Sequence, residues 1–204
     1  QDLKYHGEVT SLVMGSRDNI REFKYDVSAN FTYQDTKFTK LTVGDESTNA
    51  DYFIQTGSIS GGTGGYLKQQ RVGYAPRVFY LYQQAYDSEG KPIQNTFVDR
   101  DGDGAITEND RYLTGKSPLP HFFYGLNVKF THKQWDFGFN AHGSAGNWVF
   151  WDYHQANSTT ANDWINYSHI YNYKKIVTRT GWTNASNTAQ GYSDYFLYDA
   201  SFFK

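Results

Sequence analysis

From Phe23 to Gln34 the chain alternates without a break. Phe23, Tyr25, Val27, Ala29, Phe31 and Tyr33 take one set of positions, and Lys24, Asp26, Ser28, Asn30, Thr32 and Gln34 take the other. Successive side chains of an extended strand point to opposite faces, so this period of two predicts a strand with one apolar and one wet face. The run is longer than an average globular strand. It suits a strand tilted across a bilayer, which needs about nine to eleven residues. The pattern returns after Pro120, where Tyr124, Leu126, Val128 and Phe130 oppose Gly125, Asn127, Lys129 and Thr131. A short turn, His132-Lys133-Gln134, precedes a third run in which Trp135, Phe137, Phe139 and Ala141 oppose Asp136, Gly138, Asn140 and His142. Two alternating runs joined this tightly predict a hairpin. Soluble sheets alternate as well, so a second feature has to separate the two cases. That feature is the contrast between this tight turn and connections of dozens of residues elsewhere, the asymmetry of outer-membrane barrels.

The remaining segments are less regular. Residues 5–13 form a weaker strand candidate ending at the turn-like Gly15-Ser16-Arg17-Asp18-Asn19, and a polar connection runs from Thr36 to about Asn49. The glycine-rich stretch Gly57 to Gly65 has no Lys-Ser/Thr after it and no strand–helix context, so it reads as a loop rather than a phosphate cradle. Residues 77–86 read as extended and end at the turn Asp87-Ser88-Glu89-Gly90.

Composition narrows the class. A net charge of −2 leaves no basic footprint, which excludes nucleic acid as the partner. With no cysteine, disulfides and thiol chemistry are excluded. Mean hydropathy is −0.72, yet 19% of residues are aromatic, a pairing that suits strands with one apolar and one wet face. A secreted, calcium-stabilised β-sandwich that binds carbohydrate shares this composition and is the alternative. The chain opens at Gln1 and stops on Ser201-Phe202-Phe203-Lys204, so it reads as part of a longer protein.

One stretch carries site chemistry. Asp99-Arg100-Asp101-Gly102-Asp103-Gly104-Ala105-Ile106-Thr107-Glu108-Asn109-Asp110 sets carboxylates at positions one, three, five and twelve, with glycine at six. That is the spacing of an EF-hand-type calcium loop. Carboxylates so close repel one another until a hard divalent ion joins them, and Gly104 permits the sharp turn because it tolerates positive φ. Asp99, Asp101, Asp103 and Asp110 are the expected side-chain ligands, with the Ala105 carbonyl and Thr107, directly or through water, completing the set. Two features depart from the helical template: Asp110 replaces glutamate, and Pro118 and Pro120 bar a long flanking helix. The expectation is a structural calcium on a β scaffold. Without an ion, the same residues make an acidic surface turn.

No catalytic residues are expected. The histidines show no His-Glu-x-x-His spacing, no nucleophile motif is present, and no second carboxylate stands out for glycoside hydrolysis.

Several phrases, in order, resemble the SusC/RagA family of TonB-linked outer-membrane transporters. They are Phe23 to Leu41; Gly73-Tyr74-Ala75-Pro76 leading to Phe79-Tyr80-Leu81-Tyr82; Asp87 to Pro92; Val98 to Gly104; Asp110-Arg111; Gly115-x-x-Pro118-x-Pro120; Tyr124-Gly125-Leu126; Gly143 to Asn147; and Ser193 to Phe203. The resemblance implies an all-β fold, the C-terminal part of a 22-stranded antiparallel transmembrane barrel with long extracellular loops, its plug domain and final strands lying outside this chain. It implies an outer-membrane importer of oligosaccharides or peptides, energised through the TonB complex and lidded by a SusD-like surface lipoprotein. On this reading the apolar strand faces meet the lipid bilayer, calcium holds an extracellular loop, and Trp148, Trp151 and Trp164 are candidate substrate-stacking residues.

Overall fold

A computed structural model of the chain describes residues 2–19, 23–41, 53–58, 65–159, 175–183 and 188–204. The fold is all-β. Its largest element is a five-stranded antiparallel sheet with the order β1 (Asp2–Asn19), β2 (Phe23–Lys40), β9 (Phe122–His132), β10 (Trp135–Ala145) and β13 (Phe202–Phe203). Spatial order follows chain order, an up-and-down arrangement in which everything between β2 and β9, and between β10 and β13, is inserted. The short turns both lie at one end, since Asn19 pairs with Phe23, Phe23 with His132, and His132 with Trp135. The long insertions, residues 41–121 and 146–201, both leave from the other end.

The strands expected from alternation are present, with two corrections to their limits. β1 does not end at Gly15 but continues to Asn19, and its register shifts between Met14 and Arg17. One extra residue there is absorbed as a bulge, which keeps turn-prone residues inside a paired strand. β2 likewise does not give way to a connection at Thr36. It continues to Lys40, held by pairs such as Tyr5–Thr36 and Leu3–Phe38 and by the burial of Phe38.

Residues directly paired across an antiparallel ladder share a face. One face of this sheet therefore carries rows such as Tyr25–Phe130–Phe137, Val27–Val128–Phe139 and Ala29–Leu126–Ala141. The other carries Lys24–Thr131–Asp136, Asp26–Lys129–Gly138 and Ser28–Asn127–Asn140. Trp135 is 79% exposed and Phe137 62%, so among the described residues no second layer covers the apolar face. A β-sandwich would cover it. Aromatics concentrate at the two edges of that face. Phe23, Phe130, Trp135 and Phe137 lie toward the short turns, and Phe31, Tyr33, Phe122, Tyr124 and Phe203 toward the insertions. Between them stand Val27, Ala29, Leu126, Val128 and Ala141, joined by Phe139.

The insertions build a separate, dry core. Four strands, β3 (Phe53–Ser58), β4 (Tyr66–Arg71), β5 (Val78–Tyr82) and β8 (Arg111–Leu113), form one sheet. The expected extended segment 77–86 divides into β5 and β6 (Gln84–Tyr86), and β6 pairs with β7 (Pro92–Phe97) across the expected turn at Asp87–Gly90. β11 (Trp148–Phe150) pairs with β12 (Leu197–Asp199), and two short helices, α1 (Asp152–Ala156) and α2 (Lys175–Thr180), complete the described part. Leu67, Phe79, Leu81, Phe97, Phe150, Trp182, Phe196 and Leu197 pack together as its centre. Burying a side chain of this size contributes about 1.5–3 kcal/mol, so the insertions have a driving force of their own. Residues 59–64 of the glycine-rich loop lie outside the described residues. No helix among the described residues is long and apolar enough to cross a membrane, which has no bearing on crossing by strands.

Candidate metal centre and the aromatic loops

The acidic loop joins β7 to β8 at the insertion end. Asp99, Asp101 and Asp103 are exposed, and each offers a carboxylate oxygen within 4.8 Å of the others. Calcium–oxygen bonds of about 2.3–2.6 Å place two ligands of one ion up to about 5 Å apart, so the three fit a single calcium. The loop is already wrapped. Asp99 accepts from the Gly102 amide at 2.6 Å and the Gly104 amide at 2.9 Å, and Asp103 accepts from the Ala105 amide at 2.8 Å. Gly104 has φ +83°, the left-handed conformation expected at position six.

Asp110 is not one of these three, but its carboxylate lies beside that of Asp99. It is 0% exposed, and its carboxylate accepts the amides of Arg100 at 2.7 Å, Thr107 at 2.8 Å and Asp101 at 3.5 Å. The amide hydrogen bonds from Thr107 and Arg100 hold this carboxyl below its ordinary range. Thr107 turns its hydroxyl to the Asn109 amide at 3.2 Å, forming a capping box with Asp110 over the 3-10 turn Glu108–Asp110. Of the six expected ligands, three carboxylates are therefore gathered, while Thr107 and Asp110 close the base of the loop.

Arg111, the next residue, ties that base into the core. Its guanidinium lies over the rings of Tyr80 at 4.4 Å, Tyr192 at 4.7 Å and Tyr82 at 5.9 Å, and Nη2 donates to the carbonyls of Tyr66 and Tyr80, both at 2.6 Å. Burial lowers its pKa. Nearby, Gln84 is a second buried knot. Its amide Oε1 accepts from Gln190 at 3.0 Å and Ser193 at 2.7 Å, and its Nε2 donates to Ile93 and Thr96. Asp194 accepts from the Gln84 backbone at 2.9 Å and the Tyr112 hydroxyl at 2.7 Å. Burial, followed by that hydrogen bond, pushes the Tyr112 phenol up, and burial pushes Tyr86 up to about 12.

The three tryptophans singled out by sequence separate. Trp148 packs against the loop core, with Lys116 Nζ 3.6 Å from its ring centre. Trp151 is 45% exposed, stacks on His154 at 3.5 Å, and meets Tyr198 edge-on. Trp164 lies outside the described residues. Sequence reasoning passed over the Arg111 cage and the Trp151–His154 stack. Tyr80 and Tyr82, two apart on one strand, are a local signal for the cage, but Tyr192 arrives from a distant segment and leaves none.

The segment has known relatives. No family model matches the chain. It is 37% identical to the TonB-dependent receptor SusC of Bacteroides thetaiotaomicron over 187 residues, 90% of this chain and 18% of that protein. Among solved structures, the RagAB peptide transporter superposes with a TM-score of 0.66 at 20% identity, covering 99% of this chain and 22% of that one. The RagAB peptide importer matches in its open-open state with a TM-score of 0.62 at 18% identity, over 98% of this chain and 21% of that one. In the closed-closed state the score is 0.61 at 19% identity, over 98% and 22%. The up-and-down sheet thus belongs to the β-barrel class of TonB-dependent receptors. Within that class the chain is of the SusC/RagA type, and it spans about a fifth of the length of these relatives.

Proposed function

We propose that this chain supplies wall strands and outer loops to a TonB-energised importer in the bacterial outer membrane, one that takes up oligosaccharides or peptides beneath a SusD-like lipoprotein lid. The observation that carries this reading is the two-faced sheet. Its apolar face is uncovered among the described residues and edged by two aromatic belts, the pattern of a strand wall bathed by lipid with girdles at both interfaces. Eleven-residue strands β9 and β10 fit the thickness. At about 3.4 Å per residue and a tilt near 45°, such strands rise roughly 26 Å, close to the apolar band of an outer-membrane barrel. The opposite face, with Lys, Asp, Asn, Ser and Thr, suits a watered lumen. Short turns at one end and long insertions at the other support an extracellular position for the acidic loop and Trp151. The role is transport, not catalysis.

Calcium is the proposed ion, held by Asp99, Asp101 and Asp103, with the Ala105 carbonyl and water filling the shell and Asp110 fixing the loop's base. Its contribution is to remove the mutual repulsion of the three carboxylates and stiffen the loop that faces the lid.

The experiment is gene deletion in the host, followed by uptake of labelled oligosaccharides and labelled oligopeptides with and without an uncoupler of the inner membrane. Loss of one class on deletion, and on uncoupling, is expected, with the protein resisting carbonate extraction from outer membranes. Recovery of the protein in the soluble wash would overturn the reading. For the ion, calorimetry on the detergent-solubilised receptor is expected to record calcium binding that an Asp101→Ala/Asp103→Ala variant loses.

A further inference from the structure

Across β2, β9 and β10 the wet face is polar in every shared row but one. Thr32, Phe123, Ser144 and Phe202 pair in a line across β2, β9, β10 and β13, which sets two phenylalanines on the face that otherwise carries Lys, Asp, Asn, Ser and Thr. Both rings are open, Phe123 41% exposed and Phe202 47%, so neither is there to fill the core. Ser144 lies between them on the intervening strand and is 5% exposed. With neighbouring strands about 4.8 Å apart, the two phenylalanine backbones stand roughly 9.6 Å from each other, leaving a slot between ring-bearing walls.

The row nearer the short turns deepens the slot. It carries Asn30, Gly125 and His142, and Lys204 joins it through two main-chain hydrogen bonds with His142. A Cβ at Gly125 would run into the Asn30 side chain, so glycine lets Asn30 lie across the floor. His142 meets Phe202 edge-on at 6.0 Å and 87°. The hollow so formed has a volume of about 450 Å³, within the range of small-molecule sites, and no Asp, Glu, Lys or Arg lines it.

We infer that this slot is a lumenal subsite for one neutral sugar ring of a passing oligosaccharide, an inference that rests on the assignment of this face to the lumen. Two ligand chemistries suit aromatic walls: an apolar peptide side chain and a pyranose. The floor decides between them. Asn30, Thr32 and His142 offer amide, hydroxyl and imidazole groups, and an apolar side chain would strip water from them and return no hydrogen bonds. A pyranose presents C–H faces to the walls and hydroxyls at its edge to the floor. The slot holds one ring, so it acts as a step along the wall, below the loops that Trp151 decorates.

The test uses the full-length receptor in detergent and calorimetric titration with neutral gluco-, xylo- and manno-oligosaccharides and with uncharged oligopeptides. One sugar series is expected to bind, with Phe123→Ala and Phe202→Ala each weakening it roughly tenfold. Phe123→Tyr retains binding, and Phe137→Ala, on the opposite face, leaves it unchanged. Equal affinity in all variants, no neutral sugar binding, or a peptide whose binding depends on the two phenylalanines would overturn the proposal. A bimane probe at Asn127→Cys or Phe139→Cys in nitroxide-lipid vesicles separates the two levels. Quenching at Asn127→Cys would overturn the lumen assignment itself, whereas quenching at Phe139→Cys alone, with no sugar effect, removes only the subsite.

Discussion

The wall sheet and the loop core of this protein are built from the same residue types and are held by different forces. In the wall, Phe137 and Trp135 stand open on a face that no layer covers among the described residues, and the ladder of backbone hydrogen bonds supplies the internal order. In the loop core, Phe79, Leu81 and Phe196 are sealed at 1% exposure or less, and strands of three to six residues supply little ladder of their own. The difference teaches where each region is vulnerable. The wall depends on the medium outside it, and the loops on close packing within.

The largest effect is expected from Phe196→Ala. Removing a fully buried aromatic costs about 3–5 kcal/mol, which is enough to open the loop core. Hydrogen exchange by mass spectrometry is expected to show faster exchange in β5, β8 and β12 with β9 and β10 unchanged; equal loss in both regions would mean they fold as one unit. Next comes Phe139→Lys, on the middle of the apolar face, expected to cost about 2–4 kcal/mol in bilayers, while Asn140→Lys on the wet face is near neutral. Denaturant unfolding in vesicles checks this, and equal costs would deny that the two faces meet different media. Thr107→Ala is smaller, about 1 kcal/mol for a lost cap, and is read as a calcium-independent loosening of residues 99–110.

The last effect is one of pH. Because its folded pKa is depressed, Asp110 contributes stability above the unfolded carboxylate value near 3.9, and this is lost as pH falls through the folded pKa. Exchange of the Arg100 and Thr107 amides is expected to rise in that acidic window, and Asp110→Asn is expected to show the loosened loop already at neutral pH.

The same contrast explains what was legible in the sequence. β2, β9 and β10 could be read because each keeps one apolar and one polar face over most of its length, so the alternation is written residue by residue. Where β2 passes the Tyr33–Phe122 belt the pattern fades, and its continuation to Lys40 was hidden. β1 was cut short in reading because Gly15-Ser16 signal a turn locally, whereas pairing with β2 turns them into a bulge. The acidic loop was legible because its carboxylates and Gly104 lie within twelve residues. Asp110's use as a backbone clamp was not, since it depends on how the loop closes on Arg100 and Thr107. Nor were the Arg111 cage or the Phe123–Phe202 slot, whose walls come from segments far apart in the chain.

The joint between the two regions has a consequence for how such receptors change over time. Above the belt, besides side-chain contacts from Gln34 and His121, β2 meets the insertions through main-chain atoms: the Gln34 amide to the His121 carbonyl at 2.8 Å, the Phe38 amide to Tyr74 at 3.1 Å, and the Gly73 amide to Phe38 at 2.8 Å. Bonds of this kind are blind to side-chain identity. Mutation can therefore rewrite the aromatic and acidic surface of the loops without unfastening them from the wall, so one chassis can be refitted while its footing stays the same.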